Sequence, residues 1–537
     1  MEKIKIKKQR VMDSHTYYIA PTGSDTEGNG TIASPFKTLK HVSSIIRDNA
    51  IIYIRGGSYP SDIIVSHHLD SPNITYIAYN KETPKFFSKN PGEPAISIYA
   101  NGIILSRVVV DYSIHCGIFV WNCSDITIEH CNIQKCHRGG IYIGSNLSKI
   151  QNKNIIIRHN NITNTSLTYN ENGISDYTSP AALVLNRALH STIISNNIYE
   201  NYGRGIVVCN CIETNVQGND IRDNMIAGLY IDSSSRLIIE KNYIYNTNNS
   251  KKFYIDQIPM SGIFVSNKTR IPFIPNNNIT IKNNIFNQYG YGMNFTNEDG
   301  QFVLEHLLIA HNTFYNGYKE AIKVVGMVHT KDVRIINNIF DNSNSSSNSG
   351  SSNSSNSGIG SNISSNSGYG NSISSNSGIG SNNGGSGNTS SGTTITTSVV
   401  NKNITNNKTN SMIATNVNNY YSNTLDDVDT SFLSDIKCYY NGWSTVPTSL
   451  GGYGDVISDS KLLSNRSYDN NDKLEKYKLK EESPMRDCGY YLEEVIDDMW
   501  GNPRQIPYCL GAHELTTTPY NHYFLDTKYK NQYPSHF

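Results

Sequence analysis

Eight short segments, IEHCNI, IRHNNI, ISNNI, VQGNDI, IEKNYI, IKNNI, IAHNTF and IINNI, repeat one pattern: a polar residue two places before an Ile or Phe. Asn160, Asn196, Asn219, Asn242, Asn283, Asn312 and Asn337 fill that place, and Cys131 fills it one repeat earlier. The spacings are 29, 36, 23, 23, 41, 29 and 25 residues. Repeats of this size mean stacked supersecondary units rather than one closed core. A unit near 23 residues with β-branched runs and polar turns suits a parallel β-helix coil, whose equivalent residues lie about 4.8 Å apart. Each Asn amide then donates to and accepts from its neighbours, at roughly 0.5–1.5 kcal/mol per rung. These asparagines are read as a turn ladder, an architectural device.

A solenoid grows by addition, so 537 residues need no second core. Lys+Arg and Asp+Glu both number 45, and no net field favours nucleic acid or an anionic membrane. No run reaches the ~20 apolar residues of a membrane span. The basic start MEKIKIKKQRVMDSH lacks the apolar stretch of a secretory signal, so a cytoplasmic location is the default expectation, with a monomeric state. Nine cysteines is an odd number, and Cys116, Cys123, Cys131 and Cys136 lack Cys-x-x-Cys spacing. Packed free thiols are expected.

Along the chain, residues 1–16 read as a basic tail, 17–342 as the helical stack with its N-terminal cap, and 343–410 as a Ser/Asn/Gly-rich disordered insert. Residues 411–515 supply the last coils and exit segment, and 516–537 a tail. Between Pro35 and Asn49, Phe36, Leu39, Val42, Ile45 and Ile46 fall at helical spacing. An amphipathic helix there would close the open end of the stack.

The entry segment YYIAPTGSDTEGNGTIASPFKTL with AIIYIRGGSY resembles that of right-handed parallel β-helix proteins related to pectin and polysaccharide lyases. The exit segment, with YKLKEESPMRDCG and WGNPRQIPYCLGAHEL, resembles theirs as well. It keeps Ser483, Pro484, Asp487, Gly489, Gly511, Ala512 and Glu514 of Ser-Pro-x-x-Asp-x-Gly and Asp-Ile-Gly-Ala-Tyr-Glu, and departs at Cys509, Leu510 and His513. The resemblance implies an all-β, right-handed parallel β-helix. It does not settle activity, since the superfamily holds lyases, glycosidases, epimerases and proteins without known chemistry.

The repeat register locates a site. In five coils a second apolar residue follows the ladder Ile or Phe after 8 residues: Ile141, Ile206, Leu229, Met293 and Ile322. From Ile162 to Leu183 the interval is 21, and from Ile244 to Ile263 it is 19. Insertions in solenoids map to one face, often the binding face. Two long loops on one edge would wall a trough three coil steps, or about 14 Å, wide. Two places past the ladder apolar residue stand Lys135, Asn164, Glu200, Asp223, Asn246, Asn287 and Asn316, so Glu200 and Asp223 are acids on adjacent rungs. Carboxylates that close keep a proton or share a cation; Arg204 or Ca²⁺ would supply the charge. Lyases of the resembled fold pair acidic Ca²⁺ ligands with a Lys or Arg base that takes the proton α to a uronate carboxylate. The resemblance thus implies Glu200, Asp223 and Asp232 as metal ligands and Arg204 as base or carboxylate clamp. Lys252 is the other candidate base, and Tyr202, Asp176 and Tyr177 are candidate sugar contacts. Plain surface ion pairing explains the same residues. Two functions stay open: a carbohydrate-active, lyase-like or glycoside-hydrolysing enzyme acting on a polysaccharide or oligosaccharide, and a non-catalytic glycan- or protein-binding solenoid.

Overall fold

The computed structural model describes residues 15–46, 49–65, 73–146, 150, 152–168, 180–247, 255, 258–267, 274–296, 303–325, 329–341, 413–416, 436–444, 452–462 and 473–515. Residues 346–409 separate from the rest as a second unit and, like the tail 516–537, lie outside the described residues.

The described strands form three parallel sheets. Sheet A has 13 strands, from His15–Ile19 to Ile436–Tyr439; sheet B has 13, from Gly57–Tyr59 to Val456–Ile457; sheet C has 11, from Asp62–Ile64 to Ile413–Asn416. Each coil contributes one strand to A, then B, then C, and the next coil repeats the order one rung higher. Ile141, Leu183, Ile206, Leu229, Ile263, Met293 and Ile322 occupy one register column of sheet C. All are buried, as the repeat spacing requires. The chain is a right-handed parallel β-helix.

The ladder lies at the corner between sheets A and B, in a two-residue turn. The first turn residue takes positive φ: His130, His159, Ser195, Lys241, Asn283, His311, Asn337 and Tyr440 all lie between 54° and 58°. Asn and His tolerate this left-handed region better than most residues, which explains the polar composition here. The second turn residue points inward. Asn160 Nδ2 donates to Asn196 Oδ1, Asn196 to Asn219, and Asn219 to Asn242, each at 3.0 Å. The ladder continues through Asn284, Asn312, Asn338 and Asn441.

Here the structure corrects the repeat reading by one residue in two coils. The doubled asparagines of IKNNI and IINNI put Asn284 and Asn338 in the ladder, with Asn283 and Asn337 at the positive-φ place before them. The apolar column above the ladder is therefore Ile133, Ile162, Ile198, Ile221, Ile244, Phe286, Phe314, Phe340 and Trp443. Its four aromatic rings stack at 4.6, 5.0 and 4.4 Å, each pair contributing about 0.5–1.5 kcal/mol beyond burial.

At the N-terminal end the helix is shorter than its apolar spacing predicts, Leu39–Ile45. Thr38 caps it by accepting from the His41 amide, and the partly buried Asp62 carboxylate accepts from the Leu39 and Lys40 amides. Leu39, Val42 and Ile46 join the core, whereas Ile45 is exposed. At the other end, residues 473–515 fold back over sheet B. Tyr477 bonds Tyr243 hydroxyl to hydroxyl at 2.9 Å, and Lys473 reaches the Asp220 carboxylate. Lys241 meets Asp497 at 2.5 Å, and Arg504 donates to Asn283 at 2.7 Å. All nine cysteines are free; eight are buried and Cys488 is partly so, as the odd count and spacing predict.

Candidate functional site

The corner between sheets B and C carries the long connections. The sheet B strand Asn161–Thr165 is joined to the sheet C strand Ala181–Asn186, and Tyr243–Tyr245 to Ser261–Ser266, across 15 residues each. Between them, Asn197–Tyr199 to Arg204–Cys209 and Asp220–Arg222 to Ala227–Asp232 need only four residues each. Both long connections leave the same edge, three coil steps apart. Their middles, with Asp176, Tyr177 and Lys252, lie outside the described residues.

The short turns bring Glu200, Tyr202, Arg204 and Asp223 to that one corner. Glu200 and Asp223 take φ of 54° and 51° and stand on adjacent rungs. Lys135, Asn164 and Asn316 share this conformation, but Gln288 takes the place expected for Asn287, following the one-residue shift above. A second, shorter amide ladder lies just inside: Asn201 Oδ1 accepts from Thr165, and Asn201 Nδ2 donates to Asn224 at 2.8 Å. Among the described residues two asparagines carry it, Asn201 and Asn224, too few to register as a sequence repeat.

The three carboxylates expected to share a cation do not converge. Glu200 is exposed. Asp223 is 4% exposed and spends both oxygens on Thr247, accepting from its amide at 2.7 Å and its hydroxyl at 3.0 Å. Asp232 ends the strand Ala227–Asp232, about 17 Å along from its start. There it is fully buried and accepts from the Ser233 hydroxyl at 3.0 Å. The trio is therefore not one coordination sphere for Ca²⁺. The physical reason is direction: the register sets which rung a residue occupies, while five further strand residues carry Asp232 to the opposite corner.

The outer face of sheet C adds aromatic surface. Its outward register column runs Phe119, Tyr142, Val184, Val207, Tyr230, Phe264, Asn294, Lys323. Val184, Val207 and Tyr230 are almost fully buried and form a cluster with Ala181 and Cys209. The Arg204 guanidinium lies over the Tyr230 ring at 4.3 Å, a cation–π contact. Toward the N-terminal side the face opens: Phe119 stacks between Trp121 and Tyr142 at 5.6 Å on either side, and Tyr99 is 42% exposed. The turn positions His137, Tyr202, Met225, Tyr289 and Tyr318 do not form one aromatic surface, because Tyr289 is buried and Tyr318 exposed. Two buried acceptors on this face, Asn186 Oδ1 and Ser266 Oγ, have no hydrogen-bond partner among the described residues. No described helix is long and apolar enough to cross a membrane.

Residues 17–179 match a family profile described as Pel9A-like, right-handed β-helix region. No curated protein matches the sequence. Among solved structures, pectate lyase Pel9A is similar over 94% of this chain and 97% of its own, at 14% identity and TM-score 0.43. XylC, solved in complex with xylose, is similar over 93% and 98%, at 12% identity and TM-score 0.46. PfbA, a surface adhesin of Streptococcus pneumoniae, is similar over 52% and 81%, at 13% identity and TM-score 0.38. At such identities the likeness concerns the fold alone.

Proposed function

We propose that this chain, a right-handed parallel β-helix with a Pel9A-like N-terminal region, binds an acidic polysaccharide along the outer face of sheet C. One observation carries the reading: two 15-residue connections leave the same corner and frame the turns bearing Tyr202 and Arg204, beside an open aromatic strip. Flat rings suit the faces of pyranose sugars, and a guanidinium suits a carboxylate in bidentate contact. Trp121, Phe119 and Tyr142 would stack the sugar rings, while Arg204 would hold a uronate carboxylate.

The test is a panel of acidic and neutral polysaccharides assayed by calorimetry. Binding of at least one uronate polymer is expected, weakened about tenfold by Trp121→Ala, which is about 1.4 kcal/mol. Absence of binding across the panel sinks the proposal. A second reading, cleavage, is favoured by Arg204 standing at the corner with Glu200 and Asp223. In it Arg204 or Lys252 takes the proton α to the uronate carboxylate, the electron pair forms a double bond, and the glycosidic oxygen leaves. New unsaturated chain ends, lost in Arg204→Ala, would select it.

A further inference from the structure

We propose that Asp487, Cys509 and Glu514, in the segment folded back over sheet B, form a binding site for a thiophilic divalent cation of the zinc class. One ligand atom from each lies within 4.8 Å of the other two. The Cys509 sulfur is 4.0 Å from Asp487 Oδ1. A tetrahedral ion with metal–sulfur and metal–oxygen bonds of about 2.3 and 2.1 Å holds S and O about 3.6 Å apart. Side-chain rotations of under about 1 Å would close the set, with water in the fourth position.

An independent observation points to a ligand. Glu514 is 1% exposed, and its Oε2 accepts from Arg504 Nη1 and from the Cys509 amide, both at 3.1 Å. Its Oε1 is buried and has no hydrogen-bond partner among the described residues. Buried polar atoms are almost always partnered, so a leftover carboxylate oxygen signals a missing electrophile. Charge agrees. Two carboxylates and a thiolate carry three negative charges against the two guanidinium charges of buried Arg504 and rim Arg486, so the cluster keeps a net negative charge that favours a cation. At the exposed rim, Arg486 donates to Asp487 Oδ2 at 2.9 Å and leaves Oδ1 facing the thiol. The sulfur ligand selects a soft or borderline ion over Ca²⁺ or Mg²⁺. On binding, the Cys509 thiol gives its proton to solvent and the sulfur lone pair bonds the metal. The ion would tie the turn at Asp487 to the turn at Cys509–Glu514.

The full-length protein, stripped with chelator, is titrated with Co²⁺ as a spectroscopic probe and then with Zn²⁺. One equivalent of Co²⁺ should give thiolate-to-metal charge-transfer absorption in the near ultraviolet, and Zn²⁺ should bleach it and raise the melting temperature. Cys509→Ser should abolish the band. Asp487→Asn, at an exposed carboxylate, should weaken Zn²⁺ binding at least tenfold, while Cys488→Ser, at the neighbouring half-buried thiol, should leave the band intact. No band in the wild type, a band persisting in Cys509→Ser, or unchanged affinity in Asp487→Asn overturns the site. None of these residues lies on the proposed glycan face, so either result leaves that reading untouched.

Discussion

Asn196 and Asn197 are chemically identical neighbours with opposite duties. Asn196 is 1% exposed, and its amide bonds Asn219 above and the carbonyls of Ile157 and Ile194. Asn197, half-buried on sheet B, donates to Asn161 at the surface. Asn219 repeats the inward arrangement, serving the Asn196 amide and the carbonyls of Ile193 and Gln217. Asn219→Ala should therefore cost roughly 3 kcal/mol, because several buried groups lose their partner at once. Asn197→Ala should cost under about 1 kcal/mol, being solvent-compensated. Urea denaturation midpoints check the pair; equal effects would refute the ladder as a stabilising element. This division also explains what could be read beforehand. The recurrence of Asn before Ile located the coils, but in IKNNIF and IINNIF either Asn fits the pattern. Only the packing of Phe286 and Phe340 into the apolar column, and the bonds of Asn283 to Arg504 and Asn337 to Tyr490, resolve which one turns inward.

Among the elements, the short turn between Val109–Ser113 and Cys116–Trp121 carries a histidine with a pH consequence. Burial, aided by the charge of Arg138, pushes His115 from its ordinary value down to about 4. Its ring meets Phe119 edge-on at 6.0 Å. A depressed folded-state value means that the neutral ring's contribution is complete above the unfolded value near 6.5 and is lost as pH falls toward 4. Stability should decline across that window. His115→Gln should remove part of the slope, leaving stability above pH 7 nearly unchanged; identical profiles for both proteins in thermal melts would contradict this. The connections between elements were legible unevenly. The long intervals after Ile162 and Ile244 revealed the corner where Glu200, Tyr202, Arg204 and Asp223 meet. Asp232 was misplaced because register along the axis says nothing about distance around the coil.

For the whole molecule, the returning segment matters most. Tyr243, Tyr245, Ile285, Tyr315 and Ile339 point outward from sheet B, yet they are buried in a cluster with Tyr477, Leu479, Met485 and Leu510. No local pattern announces a contact between residues 243 and 477, so sequence reasoning left this face unassigned. A chain ending at residue 472 should expose those side chains, bind a hydrophobic dye and associate, with a melting temperature several degrees lower. A truncated protein that stays monomeric with an unchanged melt would show the cover to be dispensable.

From the strand Ile103–Ser106 to the strand Gly442–Trp443, every passage from sheet A to sheet B uses two residues, whereas the passage from B to C ranges from 2 to 15 within residues 109–325. One edge is thus a fixed hinge pin and the other a margin that admits insertions. A peptide spliced in beside Glu200 or Asp223 lengthens a turn that already varies, whereas a single residue added beside Asn219 would throw every later rung out of step. Novelty in such a molecule accumulates along one margin, leaving the opposite margin to keep count.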